Sequence, residues 1–387
     1  MKAIVGGKIL TERGLRENCA VFYEEKIARV APAAEVDCVP CESIIDATGC
    51  IVSPGFINQH VHGCAGFDAM DATAEALAAI RAAQAQMGVT AFLATTMTQS
   101  FSRIGAALEA IRAAQMRAGG AKLLGAHLEG PFISEAYRGA HDARYIETAS
   151  FERISPYAGV IRMATVAPEC ASAAFVAACR DAGIALSIGH SGADYETAQA
   201  ALRQGFSQFT HVYNALPPLH HRAPGALGAA LDSDAYCELI ADNIHVHPAM
   251  QRLLLRAKGA ARIVLVTDSM RACLLADGVY ELGGQKVVVR EQCARLESGV
   301  IAGSVLTMPD ALRNFQAATR LPLADLLRTV TENPARAIGC FVQIGSIAPG
   351  KAADFTVCDE SFAVQMTVVD GRIAYASQAL SIFQKRC

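Results

Sequence analysis

The chain has 387 residues, of which 52% are hydrophobic and 18% are charged, and its formal net charge at pH 7 is −3. This composition supports a large buried core, and the absence of a basic footprint argues against nucleic acid or an anionic membrane as a partner. Residues 1–10 lack a long apolar stretch, and no run reaches the roughly 18 apolar residues of a membrane-spanning helix. We therefore expect neither a signal peptide nor a membrane segment.

The thirteen cysteines are odd in number and show no framework spacing. This pattern predicts free thiols and a cytoplasmic protein. Cys38 and Cys41 form a lone CxxC, which we interpret as a loop with two small apolar residues rather than as a zinc or redox site. Cys64 lies close to the candidate metal ligands described below, but packing is favoured over ligation.

The first 50 residues alternate short β-rich runs with turn residues, which predicts a small sheet. From residue 51 to about 276, eight apolar strands alternate with Ala-rich helices. This rhythm predicts a closed (β/α)8 TIM barrel rather than an open doubly wound sheet, because no GxGxxG follows the first strand. The predicted strands are 51–57, 89–95, 122–128, 160–166, 184–188, 208–212, 237–240 and 262–267. The predicted helices are 72–87, 102–118, 171–182, 193–204 and 248–258.

Beyond the barrel strands, a hairpin is predicted at 278–300 with Gly283-Gly284 as its turn. Helices are predicted at 309–319, 322–331 and 334–338, and strands from residue 345, with Asp370-Gly371 as another hairpin turn. We predict that residues 1–50 and 345–387 form one small β-sandwich domain. Residues 51–344 would form the barrel, with the hairpin as an insertion.

The ends of the predicted barrel strands carry the residues of greatest chemical interest. In the run HLEGPF, Glu129 ends an apolar strand that Gly130-Pro131 cannot continue. Active groups of such barrels lie at the C-terminal strand ends, and reading those ends in order gives His60, His62, Glu129, His190, His211 and Asp268. Any one of these histidines alone is more often an ordinary hydrogen-bonding residue. Together they predict a site for Zn²⁺ or Fe²⁺, with His60 and His62 on one side of an extended segment.

Two more histidine clusters have ligand-like spacing, His220-His221 and His245-Val246-His247. Arg222 and the turn residues Pro217-Pro218 and Pro224-Gly225 predict a loop with hydrogen-bond donors. Arginine and histidine donors without a nearby acid suit an anionic ligand better than a cation. A solvated loop is the alternative interpretation.

Ten runs along the chain carry a family resemblance. They are PGFINQHVHG (54–63), HLEGPF (127–132), RGAHD (138–142), IGHSGA (188–193), THVYNAL (210–216), ADNIHV (241–246), LVTDSM (265–270), IAGSVLTM (301–308), NPARAIG (333–339) and GSIAPGKAADF (345–355). The chain resembles the N-acetylglucosamine-6-phosphate deacetylases of the amidohydrolase superfamily. The resemblance covers nearly the whole chain, and HLEGPF and THVYNA are its most specific motifs.

The resemblance implies a role for each matching residue. Glu129, His190 and His211 match the principal metal ligands, and the pair His60 and His62 would allow a second ion. Zn²⁺ is favoured over Fe²⁺, with one or two ions per subunit. Asp268 matches the catalytic aspartate, although TDSM stands where many members have TDA. Residues matching substrate and phosphate contacts are His141, Asn214, Ala215, Arg222 and His245, and His245 is expected to reach the active site of a neighbouring subunit in a homodimer.

The implied reaction is metal-dependent hydrolysis of N-acetylglucosamine 6-phosphate to glucosamine 6-phosphate and acetate, in amino-sugar catabolism and cell-wall sugar recycling. Asp268 would move the proton, and His141 would stabilise the oxyanion. The nearest alternative is N-acetylgalactosamine-6-phosphate deacetylation. The two sugars differ in the configuration of one hydroxyl group, and no motif in the chain distinguishes the two configurations. A non-catalytic sugar-phosphate-binding barrel is the alternative from another class.

Overall fold

Seven short strands open the chain, in the region where the sequence predicts a small sheet. The structure is a computed structural model and describes residues 1–378 and 382–383. The strands are β1 (Lys2–Val5), β2 (Lys8–Thr11), β3 (Gly14–Arg16), β4 (Cys19–Tyr23), β5 (Ile27–Pro32), β6 (Ser43–Asp46) and β7 (Ile51–Pro54). A 3-10 helix, Ala33–Cys38, follows β5.

The central part of the chain alternates strands with helices. Its strands are β8 (Phe56–Val61), the two-residue strands β9 (Gly63–Cys64) and β10 (Phe67–Asp68), then β11 (Val89–Thr95), β12 (Lys122–Glu129), β13 (Ile161–Val166), β14 (Ala185–Ile188), β15 (Phe206–Phe209), β16 (Tyr236–Ile240) and β17 (Ile263–Val266). Its helices are α1 (Ala74–Gln86), α2 (Phe101–Gln115), α3 (Phe151–Ile154), α4 (Ala173–Asp181), α5 (Tyr195–Gln204), α6 (Gly225–Leu231) and α7 (Pro248–Lys258). Helix α7 begins and ends where the sequence predicts, whereas the short α6 was not predicted.

Eight parallel strands, β8 and β11 to β17, form one sheet that closes into a barrel. At the closure Val61 pairs in parallel with Ser269. The Asp268 N–H donates to the His60 carbonyl at 3.0 Å, and the His62 N–H donates to the Ser269 carbonyl at 2.9 Å. Every residue of β11 is buried, as expected for a strand covered on both faces. The predicted TIM barrel is therefore confirmed.

The first barrel strand begins later than predicted. The sequence predicts one strand over residues 51–57, but β7 pairs with strands of the small sheet, and β8 alone enters the barrel. Gly55 separates the two strands. A Cβ at Gly55 would lie 1.9 Å from Thr90 Oγ1, so the crossing from one sheet to the other needs glycine. Since the run is apolar throughout, its pattern does not mark the break.

The last part of the chain contains a three-stranded insertion, three helices and four strands. These are β18 (Gly278–Leu282), β19 (Gln285–Arg290), β20 (Cys293–Leu296), α8 (Met308–Thr319), α9 (Leu323–Arg328), α10 (Glu332–Ala337), β21 (Phe355–Cys358), β22 (Val364–Val369), β23 (Arg372–Ala376) and β24 (Ile382–Phe383). The hairpin turns predicted at Gly283-Gly284 and at Asp370-Gly371 are confirmed, because each joins two antiparallel strands.

Strands from both termini form two sheets that pack as a small sandwich. One sheet has the order β24-β6-β1-β4-β5, and the other has the order β23-β22-β21-β7-β2-β3. Their shared core is apolar and includes Tyr23 and Phe355, whose ring centroids lie 5.1 Å apart. The predicted small β-sandwich built from both termini is thereby confirmed. Within the described residues, no helix is both long and apolar enough to cross a membrane.

Candidate metal centre and active site

The candidate ligands lie where the barrel strands end. Glu129 is the last residue of β12, and His190, His211 and Asp268 each follow a strand end by two residues. These last three residues have positive φ values of 48°, 29° and 50°. Left-handed backbone is uncommon for such residues and persists where the surrounding structure holds it. The chain therefore turns sharply at each of these strand ends, and all three residues line the same cavity.

Glu129 lies at the centre of four histidines. Its Oε1 is 3.3 Å from His190 Nε2 and 3.1 Å from His211 Nε2. Its Oε2 is 3.3 Å from His60 Nε2 and 3.1 Å from His62 Nε2. One carboxylate therefore joins two groups of ligands, each with its atoms within 4.8 Å of one another.

Asp268 lies beside the group formed by His60, His62 and Glu129. Its Oδ1 lies 3.1 Å from His62 Nε2 and 3.3 Å from His60 Nε2. Burial would raise the pKa of Asp268, but the neighbouring His60 and His62 outweigh that effect and hold the pKa well below its usual range. Asp268 is therefore an ionised carboxylate that lines the cavity.

The hydrogen bonds of this centre fit a bound cation. The Nδ1–H of His190 donates to the Tyr137 carbonyl at 3.0 Å, so its Nε2 carries a lone pair. That lone pair faces Glu129 Oε1, and His211 Nε2 lies 3.0 Å away. The buried Nε2 of His60 has no hydrogen-bond partner in the described structure. A lone pair that faces a carboxylate in this way needs a positive charge between the two groups, and imidazole with carboxylate suits a divalent ion such as Zn²⁺ or Fe²⁺.

Burial and the neighbouring carboxylates shift the pKa values of the histidines in opposite directions. Burial alone lowers the pKa of His60, but the carboxylates, first Glu129 and then Asp268, raise it well above its ordinary value. Burial likewise lowers the pKa of His62, but its hydrogen bonds with Asp268 and Glu129 raise that pKa to about 9. Burial and the nearby His141 lower the pKa of His190 to about 4. In the cation-free centre, protons on His60 and His62 balance the carboxylates, and a divalent ion can replace them.

His141 faces the same centre from a loop. Its Nδ1 accepts the backbone N–H of Thr98 at 3.2 Å, so the proton of the neutral ring is assigned to Nε2. That Nε2 lies 3.7 Å from Glu129 Oε2, and the ring packs edge-on against His190. His141 therefore presents an N–H donor to the cavity.

The cavity itself has a volume of about 250 Å³. Asn214, Ala215 and His245 line it together with the candidate ligands, and their contacts with substrate stay predictions. Leu282 and Val300 also line it, and the sequence did not reveal this role of the inserted hairpin. The hairpin is held in place at its turn, because Gln99 Nε2 donates to the Gly283 carbonyl.

Two further site residues have roles that stay predictions. His245 lines the cavity of its own chain, where its Nδ1 is 2.6 Å from Asp242 Oδ2, and its contact with the active site of a neighbouring subunit stays a prediction. Arg222 is exposed, pairs with the adjacent His221 at 2.8 Å, and is not among the residues that line the cavity. Loop conformation decides both placements, and motif spacing does not reveal it.

One residue of the centre was missed altogether. Glu238, in the middle of β16, is fully buried and lies 3.0 Å from His60 Nδ1. The signal was present in the sequence, since Glu238 is a lone acid inside the apolar strand CELI. A buried strand does not accept a carboxylate without a partner.

Comparisons with known proteins agree with this geometry. Residues 51–374 match the Amidohydrolase family. The N-acetylglucosamine-6-phosphate deacetylase of Bacillus subtilis (strain 168) is 39% identical over 340 residues, covering 85% of this chain and 85% of that protein. The N-acetylgalactosamine-6-phosphate deacetylase of Escherichia coli O157:H7 is 35% identical over 374 residues, covering 95% of this chain and 97% of that protein.

A solved structure gives the same result. The crystal structure of N-acetylglucosamine-6-phosphate deacetylase from Pasteurella multocida superposes with a TM-score of 0.92 at 31% identity, covering 97% of this chain and all of that one. Fold, sequence and motif order therefore lead to one assignment. The chain belongs to the amidohydrolase family, in the branch that contains the N-acetylglucosamine-6-phosphate deacetylases.

Proposed function

We propose that the protein hydrolyses N-acetyl-D-glucosamine 6-phosphate to D-glucosamine 6-phosphate and acetate, in amino-sugar catabolism and cell-wall sugar recycling. The observation that carries the proposal is the convergence of Glu129, four histidines and Asp268 on one cavity. Relatives named for this activity support the substrate.

We assign Glu129, His190 and His211 to hold the principal ion, and His60 and His62, with Glu129 between them, to hold a second. Zn²⁺ is favoured because imidazole nitrogens and carboxylate oxygens are its common ligands at catalytic sites. When bound, such an ion would polarise a carbonyl group and lower the pKa of a bound water to about 7.

Asp268 and His141 would carry out the remaining chemistry. The ionised Asp268 accepts a proton from the attacking water, holds it on its carboxyl group, and donates it to the departing amine. The Nε2–H of His141 donates to the acetyl oxygen as negative charge develops there. This division of roles is supported by two distances: His141 Nε2 lies 3.7 Å from Glu129 Oε2, and Asp268 Oδ1 lies 3.1 Å from His62 Nε2.

The phosphate group would be held at the far side of the cavity. We assign His245 and Asn214 to this part, with Ala215 beside them. Binding energy gained there orients the acetyl group at the metal centre. Because Arg222 lies outside its own cavity, its contact with phosphate requires either a movement of its loop or a second copy of the chain. We therefore include a homodimer in the proposal.

The test is acetate release from a panel of N-acetylhexosamine 6-phosphates and from free N-acetylglucosamine. We expect N-acetylglucosamine 6-phosphate to react fastest, with activity lost after chelation and restored by Zn²⁺. Acetate release that is unaffected by thorough chelation would refute the metal-dependent mechanism. No release from any member of the panel would refute the deacetylase assignment and favour a binding protein.

N-acetylgalactosamine 6-phosphate is the second candidate substrate. It is supported by the 35% identity with the Escherichia coli relative named for that activity. The two sugars differ in the configuration of one hydroxyl group, and the same panel compares them directly. Whichever has the higher kcat/KM is the substrate that the site prefers.

A cytoplasmic location is also part of the proposal. The twelve cysteines in the described part of the chain are all free. Free thiols are typical of a reducing compartment.

A further inference from the structure

A buried acid, Glu238, contacts the candidate metal centre and has no assigned role. Glu238 lies at the middle of β16 and has no exposed surface. Its Oε2 is 3.0 Å from His60 Nδ1 and 3.3 Å from the backbone nitrogen of His211. Its Oε1 accepts a hydrogen bond from Gln59 Nε2 at 2.8 Å. Three N–H donors therefore meet one carboxylate, which is the environment of an ionised acceptor.

The contact with His60 decides which nitrogen of that ring is free. Because Glu238 can only accept, Nδ1 of His60 must carry the proton. In the neutral ring, Nε2 then has the lone pair, and it faces Glu129 Oε2 and Asp268 Oδ1, each at 3.3 Å. This is the tautomer and the orientation that a metal ligand needs. A carboxylate on the far nitrogen also makes the imidazole a stronger donor to a metal.

Among the four candidate histidine ligands, only His60 has such a partner. The Nδ1 atoms of His62 and His211 are buried without a hydrogen-bond partner in the described structure. The Nδ1 of His190 donates to a neutral backbone carbonyl, that of Tyr137. His60 is therefore hydrogen-bonded to a carboxylate at its far nitrogen, whereas the buried Asp68 interacts with His62 through its charge, without a hydrogen bond in the described structure.

The position of Glu238 is otherwise unfavourable. An ionised carboxylate inside a barrel strand loses its solvation, and nearby groups must compensate for that loss. Gln59 and the backbone of His211 supply neutral donors, and the imidazoles beside Glu238 are those of His60 and His127. Of these two rings, His60 is the one hydrogen-bonded to Glu238. Gln59 in turn donates to Gln208, which donates to the Ala337 carbonyl, and this polar layer ends away from the centre.

We propose that Glu238 is a positioning residue that fixes His60 as a metal ligand and so determines how tightly the ion between His60, His62 and Glu129 is held. The inference rests on the metal centre of the proposed function. It adds the residue that distinguishes the two metal positions. Glu238 is not among the residues that line the cavity, and it acts through the imidazole of His60.

Zinc titration of the full chain against a chromophoric chelator tests this inference. Glu238→Gln keeps the shape and an acceptor oxygen but removes the charge, and Glu238→Met removes both. We expect the second zinc affinity to fall roughly 10-fold in the first variant and nearer 100-fold in the second, as partners of this kind do when removed. The tighter zinc should change less than the weaker one. Gln208→Met is the matched control, because it disrupts the same polar layer without touching a candidate ligand.

A double-mutant cycle with His60→Ala separates positioning from general destabilisation. If Glu238 acts through His60, adding Glu238→Gln to His60→Ala leaves the affinity of the remaining zinc unchanged. The inference would be overturned if Glu238→Gln lowered the zinc affinity by the same factor in the wild-type chain and in the His60→Ala chain. Unchanged zinc affinities in both Glu238 variants would also overturn it. A wild-type chain that binds no zinc would overturn the metal centre as well, whereas two zinc ions with no effect of Glu238 would overturn this inference alone.

Discussion

Replacing Asp268 with asparagine isolates the proton transfer from every other function of the centre. Asparagine keeps the shape of the side chain and an oxygen near His62 Nε2, from which Asp268 Oδ1 is now 3.1 Å away. It cannot hold a proton between water and amine. Because the side chain of Asp268 is only 10% exposed, solvent has little access to the site to replace the lost base. The variant should therefore bind substrate and fail to turn it over.

The expected loss follows from the role assigned to this carboxylate. A positioned general acid–base group contributes about 10²–10⁴-fold to the rate. At 1.36 kcal/mol for each factor of ten, this is a barrier increase of about 2.7–5.4 kcal/mol. The same residue serves in both proton transfers, so we expect the upper part of this range. The loss should appear in kcat, with little change in substrate affinity.

The assay is acetate release at saturating N-acetylglucosamine 6-phosphate, with zinc content and substrate binding measured on the same samples. Asp234→Asn makes the same chemical change at a fully exposed side chain and should behave as wild type. A kcat within about tenfold of wild type at equal zinc content, below the least effect expected of such a group, would refute the assigned role. A rate that falls only in proportion to lost zinc would show that Asp268 acts as a ligand instead.

Three further predictions test the phosphate site, the metal and the sandwich. His245→Ala should lower kcat/KM for the phosphorylated substrate about 10–100-fold, the effect of one hydrogen bond to a charged group, and leave kcat/KM for free N-acetylglucosamine unchanged. Arg222→Ala should show the same selectivity if Arg222 contacts the phosphate. Equal losses on both sugars would contradict the phosphate assignment of the residue that was replaced. Chelation should lower the melting temperature measured by thermal denaturation, because an ion at 100 times its Kd adds about 2.7 kcal/mol to the free energy of unfolding. An unchanged melting temperature would contradict a resident ion. Phe355→Ala removes a ring packed against Tyr23 and should reduce the free energy of unfolding by about 3–5 kcal/mol, which urea denaturation measures; a loss near zero would contradict the packed sandwich core.

The sequence predicted well those features that follow from local geometry. Two imidazoles separated by one residue in a strand must lie on the same side, and both His60 and His62 face Glu129 Oε2. Strand ends in a parallel barrel meet at one face, so the residues at those ends could be expected to lie together before any contact was known. Their chemical roles stay predictions until the variants are measured.

The pattern of residue types along the chain does not predict features that depend on tertiary contacts. Strand β16 is buried along nearly its whole length, so its alternation does not tell which face points into the barrel or that Glu238 meets His60. The turn at Gly283-Gly284 was predictable, but its docking beside the cavity depends on Gln99, far away in the chain. Likewise, the loop that carries Arg222 mixes Leu219 with prolines and histidines, and this composition does not predict in which direction its side chains point.

The candidate centre links catalysis to folding, because the same groups that suit the reaction disfavour burial. Glu129, Asp268 and Glu238 bring three carboxylates into the barrel, and the pKa values of His60, His62 and His211 are raised, so these rings can offset the carboxylates by taking protons. A buried cluster of this kind is stable only when its charges are matched. A divalent ion matches them without requiring those protons, and it frees the imidazole nitrogens to act as ligands. Folding of the barrel top and loading of the metal should therefore be coupled, and substitutions that reduce the buried negative charge should stabilise the metal-free chain while weakening its affinity for metal.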